Sequence, residues 1–535
     1  MTAGPDTQQQ WIGRIPGAPR KGRKHMDDKR IFNVAVDFID RNVDAGRGDK
    51  PAFIEGENSL TYGALQAESE RMVGLLSRFG LKREDRVAMI TLDTIEYPVI
   101  FLGAIRAGVI PVALNTLLSG EQYRYMLSDS RARALFVSEP LYQTVAPILA
   151  SIPTLEHIFV VGHPVEGTLD FATELAASER GATAETTADE VAFWLYSSGS
   201  TGAPKGVPHV QTSAAETAKL FGTDIIGFSE DDVVFSAAKL FFAYGLGNGL
   251  SFPMAAGATT ILYPARPTPQ AVFDILQKYQ PTVFCGVPTL YAAMLAYPEA
   301  GPAMGSPNLR ICVSAGEALP EDVGKRWKKL FGVDIVDGVG STEMLHIFLS
   351  NKPDDIVYGT SGKPVPGYDV RLVDENDKDV ADGEVGELLV RGSTAAVGYW
   401  NQREKSRRTF MGEWTRTGDK YTRDASGNYV YCGRTDDMFK VSGIWVSPFE
   451  VESALISHPG VLEAAVVPRA DGENLIKPCA FVVPKNGADL DYDMLKEHVK
   501  SEIGKWKYPR WIEFVDELPK TATGKIQRFK LRDML

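Results

Sequence analysis

The sequence predicts an α/β fold: a large N-terminal domain of helix-covered sheets with a β-rich subdomain, followed by a small α+β C-terminal domain. Short apolar runs alternate with amphipathic segments from Phe32 to Gly162 and again from Asp189 to about Gly338. This alternation is typical of parallel sheets covered by helices. From Gly362 the apolar runs are short and separated by Gly, Asp and Asn, which indicates antiparallel strands.

The elements of the first region follow from apolar periodicity. The segment Glu68–Phe79 has apolar residues at helical spacing and predicts a helix. Three continuous apolar runs predict buried strands: Asp85–Thr91, Ala134–Ser138 and His157–Val161.

The most apolar part of the chain, Tyr97–Leu114, does not resemble a membrane span, because an arginine, a glycine and a proline interrupt it. We interpret it as a buried helix, Tyr97–Ala107, followed by a strand, Val109–Leu114. Residues 1–25 are polar and basic, lack the apolar segment of a secretory signal, and predict a flexible tail. A soluble, cytoplasmic protein with no membrane segment is therefore expected.

The C-terminal part divides into two patterns. Tyr368–Val373 and Glu387–Arg391 predict strands of the β-rich subdomain. The last unit predicts, in order, a helix, two strands and a helix: Pro448–Ile456, Ala464–Val467, Cys479–Val483 and Leu490–Ile503. A polar step at Arg434 separates the units, so we expect a tail over residues 1–25, a core domain over 26–433 and a C-terminal domain over 434–535.

Composition excludes several classes of function. The 535 residues are 44% hydrophobic and carry a net charge of −12, which argues against general nucleic-acid binding, since that requires a basic surface. The four cysteines, Cys285, Cys312, Cys432 and Cys479, lie far apart without a CxxC pair. We interpret them as free core cysteines rather than metal ligands or disulfides.

A Ser/Thr/Gly-rich loop follows the apolar run Val191–Leu195. It predicts a polyphosphate site, because glycines let backbone N–H groups close around an anion and a lysine adds positive charge. The alternative is a flexible surface turn. The loop is not a Walker A motif, since Gly206 stands where that motif needs a hydroxyl. The candidate phosphate ligands are Ser197, Ser198, Gly199, Ser200, Thr201, Gly202 and Lys205.

The loop resembles the signature of the adenylate-forming superfamily, which comprises acyl-CoA synthetases, luciferases and peptide-synthetase adenylation domains. Five further motifs of that family follow in its order: Asp337–Glu343, Thr415–Asp419, Gly433–Asp437, Lys440–Gly443 and Pro519–Lys525. The resemblance implies ATP, Mg²⁺ and coenzyme A as cofactors and co-substrates, and a mobile C-terminal domain that carries the catalytic lysine.

The resemblance also implies individual roles in forming an acyl-adenylate. Lys525 would bridge the substrate carboxylate and the α-phosphate, although a basic run of this kind is more often solvated surface. Glu343 would bind magnesium, and Thr342 would lie near the α-phosphate. The remaining nucleotide ligands would be Gly316, Glu317 and Ala318 against adenine, Asp337 and Gly338 in the adenine segment, and Asp419 and Arg434 on the ribose.

The family's second half-reaction transfers the acyl group to coenzyme A after the small domain rotates. By resemblance, Asp436 is the pivot. The turn that then faces the pantetheine channel would contain Lys440, Ser442 and Gly443. The thiol attacks the acyl carbonyl directly, so no cysteine or serine nucleophile is required.

The acid substrate is indicated by a departure from the amino-acid-activating members. Phe242 stands where they have an aspartate that pairs with the ammonium group, so an amino acid would leave a charge unpaired. Phe242, Tyr244 and Phe284 suit an aromatic ring, although each is as readily plain core. The segments Lys239–Asn248, Thr342–Asn351 and Pro519–Arg532 resemble those of benzoate–CoA ligases and their hydroxybenzoate relatives. The predicted acid pocket consists of Phe242, Ala243, Tyr244, Cys285, Val339, Gly340 and His346.

The sequence leaves several alternatives open. Val339 and Cys285 are small side chains that would leave room for a ring substituent, and His346 would bond a ring hydroxyl or be a core histidine. The expected substrate is benzoate, 4-hydroxybenzoate or both. The other readings are an alicyclic or medium-chain acid–CoA ligase, a stand-alone adenylation enzyme that loads a carrier protein, a luciferase-like oxygenase and a non-enzymatic nucleotide-binding protein. A homodimer, and acetylation of Lys525 by an acetyltransferase with a matching deacetylase, are further expectations.

Overall fold

A computed structural model of the chain describes residues 31–197, 204–435, 437–441, 444–472, 475–504, 507–520 and 526–535. The helices are α1 (Val34–Asn42), α2 (Tyr62–Arg78), α3 (Glu96–Arg106), α4 (Gly120–Ser130), α5 (Glu139–Leu149), α6 (Phe171–Ala176), α7 (Gln211–Thr217), α8 (Ala243–Leu246), α9 (Phe252–Ala256), α10 (Pro269–Tyr279), α11 (Pro288–Leu295), α12 (Glu321–Phe331), α13 (Arg403–Thr409), α14 (Pro448–Ile456), α15 (Tyr492–Ile503) and α16 (Arg528–Asp533). Short π-helical segments occupy Val43–Arg47, Ala218–Ile226 and Gly247–Ser251, and Pro302–Met304 is a 3₁₀ turn.

The strands of the described residues form five sheets. They are β1 (Pro51–Glu55), β2 (Asn58–Thr61), β3 (Arg86–Ile90), β4 (Ile110–Ala113), β5 (Ala134–Ser138), β6 (His157–Val161), β7 (Leu169–Asp170), β8 (Val191–Ser197), β9 (Lys205–Val210), β10 (Val233–Ser236), β11 (Thr259–Ile261), β12 (Val283–Gly286), β13 (Ile311–Ser314), β14 (Ile335–Gly340), β15 (Ile347–Ser350), β16 (Lys363–Pro364), β17 (Asp369–Val373), β18 (Gly386–Arg391), β19 (Phe410–Met411), β20 (Trp414–Arg423), β21 (Tyr429–Arg434), β22 (Phe439–Val441), β23 (Ile444–Val446), β24 (Val461–Ala470), β25 (Ile476–Pro484) and β26 (Trp511–Phe514).

The first sheet has the strand order β7-β6-β5-β3-β4-β8-β9. Its strands are parallel except β9, which returns antiparallel to β8. The predicted strands are confirmed as β3, β5 and β6, and the interrupted apolar stretch forms α3 and β4. Helix α2 begins at Tyr62, earlier than predicted, because Thr61 caps it by accepting the Ala64 N–H at 3.1 Å.

The second sheet has the order β16-β15-β14-β13-β12-β10-β11-β1-β2. Its central strands β14, β13, β12, β10, β11 and β1 run parallel. The strands at both edges, β2 on one side and β15 and β16 on the other, are antiparallel. Ligand sites of α/β sheets lie beyond the carboxyl ends of parallel strands. The segments that follow β13 and β14 contain the predicted adenine and magnesium residues.

The predicted β-rich subdomain is an antiparallel sheet of β17 to β21. The C-terminal unit pairs β22 with β23 and forms the three-stranded sheet β24-β25-β26. Helices α14, α15 and α16 complete it. Apolar side chains cover both faces of this sheet, with Val466 and Val482 on one face and Ala465 and Phe481 on the other. The predicted α/β class with a smaller α+β unit is confirmed.

The lengths of the helices and the state of the cysteines bear on two of the predictions. Within the described ranges, no helix is long and apolar enough to cross a bilayer. All four cysteines are buried free thiols.

Candidate active site

The phosphate loop is closed by a strand pair. Ser197 ends β8 and Lys205 begins β9, and the two residues lie opposite each other in the antiparallel register. The ladder therefore brings both ends of the loop together. Five of the predicted phosphate ligands, Ser198, Gly199, Ser200, Thr201 and Gly202, lie outside the described residues, so their roles stay predictions.

Glu343 is the centre of a polar cluster at the mouth of this loop. Its Oε1 accepts hydrogen bonds from the Tyr399 hydroxyl at 2.7 Å and from Ser197 Oγ at 3.3 Å. The ammonium group of Lys205 lies 3.8 Å from the same oxygen. Lys205 also donates to the Tyr399 hydroxyl at 3.2 Å. The turn after β14 and the two ends of the phosphate loop thus meet at one carboxylate oxygen.

Tyr399 was not predicted as a site residue. Its ring packs beneath Lys205, whose nitrogen lies 4.2 Å from the ring centroid. The next residue, Trp400, donates its backbone N–H to the Gly206 carbonyl at 2.9 Å. This bond fixes the segment against the end of the phosphate loop. Burial lowers the pKa of Lys205 and, with the nearby Glu343 charge, raises that of Tyr399. The phenol therefore stays a neutral donor between a cation and an anion.

The donor chemistry at Glu343 suits a magnesium ion. Mg²⁺ in nucleotide enzymes is commonly held by one or two carboxylates together with substrate phosphates and water. Among the described residues, no group of three or more His, Cys, Asp or Glu side chains comes together. A magnesium ion here would therefore bind through Glu343 and the phosphates of ATP.

Asp419 and Arg434, the predicted ribose residues, lie opposite each other on β20 and β21. Arg434 Nη1 donates to Asp419 Oδ1 and to the Thr417 carbonyl, both at 2.9 Å. Between them Gly418 has a φ of +74°, and a Cβ there would lie 2.9 Å from Arg434 Nη2. The glycine lets the arginine fold over the carboxylate, and the Asp419 charge raises the pKa of Arg434.

The predicted adenine segments also meet. Asp337 is buried near the end of β14, and its Oδ2 accepts the Leu319 N–H at 3.4 Å, next to Gly316–Ala318. Its Oδ1 has no hydrogen-bond partner among the described residues. Burial raises the pKa of Asp337 to about 8. Gly338 is confined as well, since a Cβ would lie 2.7 Å from the Leu349 carbonyl oxygen.

The C-terminal unit contacts this site beside the predicted catalytic lysine. The Ile526 N–H donates to Glu317 Oε1 at 3.3 Å. Lys525 itself, with Asp436, Ser442 and Gly443, lies outside the described residues. Lys440 belongs to strand β22, where it pairs with Trp445 of β23. The residue after Lys525 is therefore next to the adenine segment.

Most of the predicted acid pocket lies in one apolar cluster. Tyr244 and His346 stack with ring centroids 5.7 Å apart, and Cys285 and Val339 pack in the same cluster. Gly340 approaches closely, since a Cβ there would lie 2.4 Å from the His346 carbonyl oxygen. The Tyr244 hydroxyl lies within hydrogen-bond distance of the Val313 carbonyl, at 2.9 Å, so it faces the backbone.

Phe284 was wrongly predicted as a wall of this pocket. Neighbouring residues of a strand face opposite sides of the sheet, so Phe284 of β12 faces away from Cys285. It packs instead with Phe235, Tyr291 and Trp327 in a different cluster.

Phe242 and Ala243, also predicted for the pocket, pack in a different apolar cluster. Both are half-buried and pack against the core of the first sheet. The Phe242 ring lies 4.4 Å from that of Phe241, centroid to centroid. Phe242 immediately precedes α8, and Tyr244 is its second residue. This short helix therefore joins the two clusters.

His346 is buried and neutral. Its Nε2 lies 3.4 Å from the Tyr244 carbonyl oxygen, and its Nδ1 has no partner among the described residues. Burial lowers the pKa of His346 to about 3, so one ring nitrogen carries a proton and the other accepts at any working pH. The backbone contact fits the core-histidine interpretation, and the Nδ1 atom leaves one hydrogen-bonding position in an apolar pocket.

Comparison with known proteins gives the class of the molecule. The family model described as AMP-binding enzyme matches residues 39–400, and that of the AMP-binding enzyme C-terminal domain matches residues 450–525. The chain belongs to the AMP-binding enzyme family. This confirms the resemblance drawn from the ordered motifs.

Particular relatives lie closer still. The 4-hydroxybenzoate–CoA/benzoate–CoA ligase of Rhodopseudomonas palustris is 57% identical over 510 residues, which cover 94% of each chain. The benzoate–CoA ligase of Thauera aromatica is 57% identical over 506 residues, 94% of this chain and 96% of that protein. The crystal structure of a benzoate CoA ligase from Burkholderia xenovorans LB400 matches with a TM-score of 0.88 and 49% identity, over 94% of this chain and 100% of that one.

Proposed function

We propose that this protein is an AMP-forming aryl acid–CoA ligase that uses ATP, Mg²⁺ and coenzyme A, with benzoate, 4-hydroxybenzoate or both as the acid. The observation that carries the proposal is the pairing of a charged cluster, Glu343 with Lys205 and Tyr399, with an uncharged pocket around Tyr244 and His346. Relatives named for these two acids are 57% identical over nearly the whole chain.

In the first half-reaction a carboxylate oxygen of the acid attacks the α-phosphorus of ATP. The P–O bond to the β-phosphate breaks, and pyrophosphate leaves with that electron pair. Two anions must approach each other, so catalysis consists mainly of positioning and charge neutralisation. Lys205 and the phosphate loop hold the β- and γ-phosphates, and Asp419 with Arg434 holds the ribose.

Two residues near the α-phosphate complete the first step. Glu343 and the phosphates would hold magnesium, which would neutralise further negative charge. Thr342 lies in the same turn as Glu343, with its hydroxyl assigned to the α-phosphate. Lys525 bridges the acid carboxylate and the α-phosphate in this proposal, which the Ile526–Glu317 contact supports.

In the second half-reaction the thiol sulfur of coenzyme A attacks the acyl carbonyl carbon. The bond between that carbon and the AMP oxygen breaks, AMP leaves, and the thiol proton passes to solvent. We assign the core to residues 26–433 and the mobile domain to 434–535, with Asp436 as the pivot. After rotation, Lys440, Ser442 and Gly443 border the pantetheine channel.

In this proposal the pocket selects the acid because Phe242 stands where a charged partner for an ammonium group would be needed. An amino acid would bring an ammonium group beside Phe242, which cannot pair with it as an aspartate would, and an unpaired buried charge costs several kcal/mol. An aromatic ring would bring no charge, and we assign Tyr244 and the small side chains of Cys285 and Val339 to its binding. The Nδ1 atom of His346, which has no hydrogen-bond partner in the described part of the chain, supports binding of a 4-hydroxyl group.

Three further proposals concern the cell. We assign the protein to the cytoplasm, as a homodimer. Acetylation of Lys525 by an acetyltransferase would neutralise its charge and stop adenylation, and a deacetylase would restore it. Light scattering tests the dimer, and mass spectrometry of the cellular protein tests the modification; only monomer, or only unmodified Lys525, would contradict them.

The direct test of the function is AMP release with ATP, Mg²⁺ and coenzyme A against a panel of acids. The panel is benzoate, 4-hydroxybenzoate, 2-aminobenzoate, cyclohexanecarboxylate, octanoate and phenylalanine. Coenzyme A-dependent turnover is expected on the two proposed acids and not on phenylalanine. Turnover only on octanoate or cyclohexanecarboxylate would overturn the aryl assignment, and adenylate formation that coenzyme A does not discharge would indicate carrier loading.

A further inference from the structure

Leu240, two residues before Phe242, is held at both of its backbone polar groups by a distant part of the chain. Asp93 Oδ1 accepts the Leu240 N–H at 3.2 Å, and the Tyr97 hydroxyl donates to the Leu240 carbonyl at 3.1 Å. Both side chains are buried, with 4% and 1% exposure. Asp93 follows β3 and Tyr97 belongs to α3. The part of the chain that forms the first sheet therefore holds the loop after β10 of the second sheet by two hydrogen bonds.

Lys239, the residue before Leu240, adds further contacts to the same loop. Lys239 Nζ lies 3.8 Å from Asp93 Oδ2 and donates to the Ala265 carbonyl at 2.8 Å and to the Tyr263 carbonyl. A buried carboxylate is destabilising unless it is paired and hydrogen-bonded. Asp93 meets both conditions only while residues 239 and 240 keep their present position.

The position of this segment is passed on to the acid pocket through the backbone. The Lys239 carbonyl accepts the Phe242 N–H at 3.0 Å, and the Phe242 carbonyl accepts the Leu246 N–H at 2.7 Å. Helix α8 sits directly on the segment, since a Cβ on Gly245 would lie 2.1 Å from the Lys239 carbonyl oxygen. A shift of Leu240 therefore moves α8, which carries Ala243 and Tyr244.

We propose that Asp93 and Tyr97 are positioning residues that set the shape of the acid pocket and thereby the choice of acid. Neither belongs to the predicted pocket, and each acts through Leu240. The inference rests on the proposed function for the identity of the acid. A purely structural role would change stability without separating the acid from the two nucleotide substrates.

The test compares two buried tyrosines that each donate to a backbone carbonyl. Tyr97→Phe removes the donor to Leu240, and the control Tyr123→Phe removes a donor to the Asn115 carbonyl, 2.8 Å away in the same sheet domain. For Tyr97→Phe we expect the KM of the acid to rise about fivefold, the equivalent of one ordinary hydrogen bond. The KM values of ATP and coenzyme A should stay within about twofold, and preference for benzoate over cyclohexanecarboxylate should fall.

Equal changes in all three KM values, or the same acid effect in Tyr123→Phe, would overturn the proposal. If Tyr97→Phe does not fold, Asp93→Asn replaces it, because the amide oxygen still accepts from Leu240 while the charge facing Lys239 is lost. The acid used is whichever member of the panel the wild-type protein turns over best. A wild type that prefers octanoate would thus refute the aryl assignment and still allow the positioning role to be tested with octanoate.

Discussion

The two halves of the candidate site are built on opposite principles. In the nucleotide half, charged side chains meet one another directly, as in the contacts of Glu343 with Lys205 and of Asp419 with Arg434. In the acid half, polar atoms turn toward the backbone and the side chains, such as Tyr244 and His346, are neutral. The first half supplies the charges that two reacting anions require, and the second supplies shape.

This difference separates rate from selectivity. Substitutions in the nucleotide half should lower the turnover rate of every acid by a similar factor, because each acid reacts with the same phosphates of ATP. Substitutions in the acid half should change the ranking of acids while leaving the use of ATP intact. Rate and selectivity can therefore be tested separately, by substitutions in one half of the site at a time.

The largest effect is expected at Lys525. Lys525→Ala removes the cation proposed to bridge the two anions, and loss of such a group costs roughly 3–4 kcal/mol, or several hundred-fold in rate. Pyrophosphate exchange should fall by that factor, whereas acyl-CoA formation from synthetic acyl-adenylate should change only a few-fold. Lys530→Ala, in the same basic stretch, is the control. An equal loss in both half-reactions would contradict the assignment.

A smaller effect is expected at Tyr399. Tyr399→Phe removes the hydroxyl between Glu343 and Lys205, and a hydrogen bond to a charged group contributes about 1.5–3 kcal/mol. The kcat/KM for ATP should fall at least about tenfold, with the KM of the acid unchanged, as measured by steady-state kinetics. Tyr125→Phe, an exposed tyrosine of α4, should behave as wild type. A change confined to the acid would show that Tyr399 belongs to the other half of the site.

In the acid half, Val339→Ile should narrow the space beside Tyr244. Overfilling a packed site costs about 1–3 kcal/mol, and a 4-hydroxyl group needs more room than hydrogen. We expect kcat/KM for 4-hydroxybenzoate to fall at least about fivefold relative to benzoate. Val370→Ile packs against the same cluster outside the predicted pocket and is the control; an identical ratio in both variants would place Val339 outside the substrate pocket.

The last effect concerns the stability of the fold rather than the reaction rate, at Asp337. Burial raises its pKa to about 8 in the fold, whereas an unfolded aspartate titrates near 4. Between these values the unfolded chain releases the proton first, so rising pH favours unfolding. Asp337→Asn cannot ionise, so it should unfold at a higher temperature than wild type at pH 8, with a smaller difference at pH 5. Thermal unfolding at both pH values checks this, and a constant difference would contradict it.

The grouping of residues in the nucleotide half was easier to predict than that in the acid half. The family resemblance implied roles for Glu343, Asp419 and Arg434 within short motifs, and the structure brings Glu343 to Lys205 and Asp419 to Arg434, while the roles themselves stay predictions. Tyr399 was missed because a tyrosine beside a glycine carries no comparable chemical signal.

The acid half depends on geometry that spacing does not contain. Phe284 was misplaced because the face that a strand residue occupies depends on register, and a one-residue difference reverses it. Asp93 lies 147 residues from Leu240 in the chain, so no local pattern could have linked them. The element order was predictable, and the contacts between elements were not.

The division of labour is tested most directly by one ratio, kcat/KM for 4-hydroxybenzoate over kcat/KM for benzoate, in wild type, Tyr399→Phe and Val339→Ile. The account predicts that Tyr399→Phe lowers both values and leaves the ratio unchanged, while Val339→Ile lowers the ratio itself. A changed ratio in Tyr399→Phe, or an unchanged ratio in Val339→Ile, would contradict it.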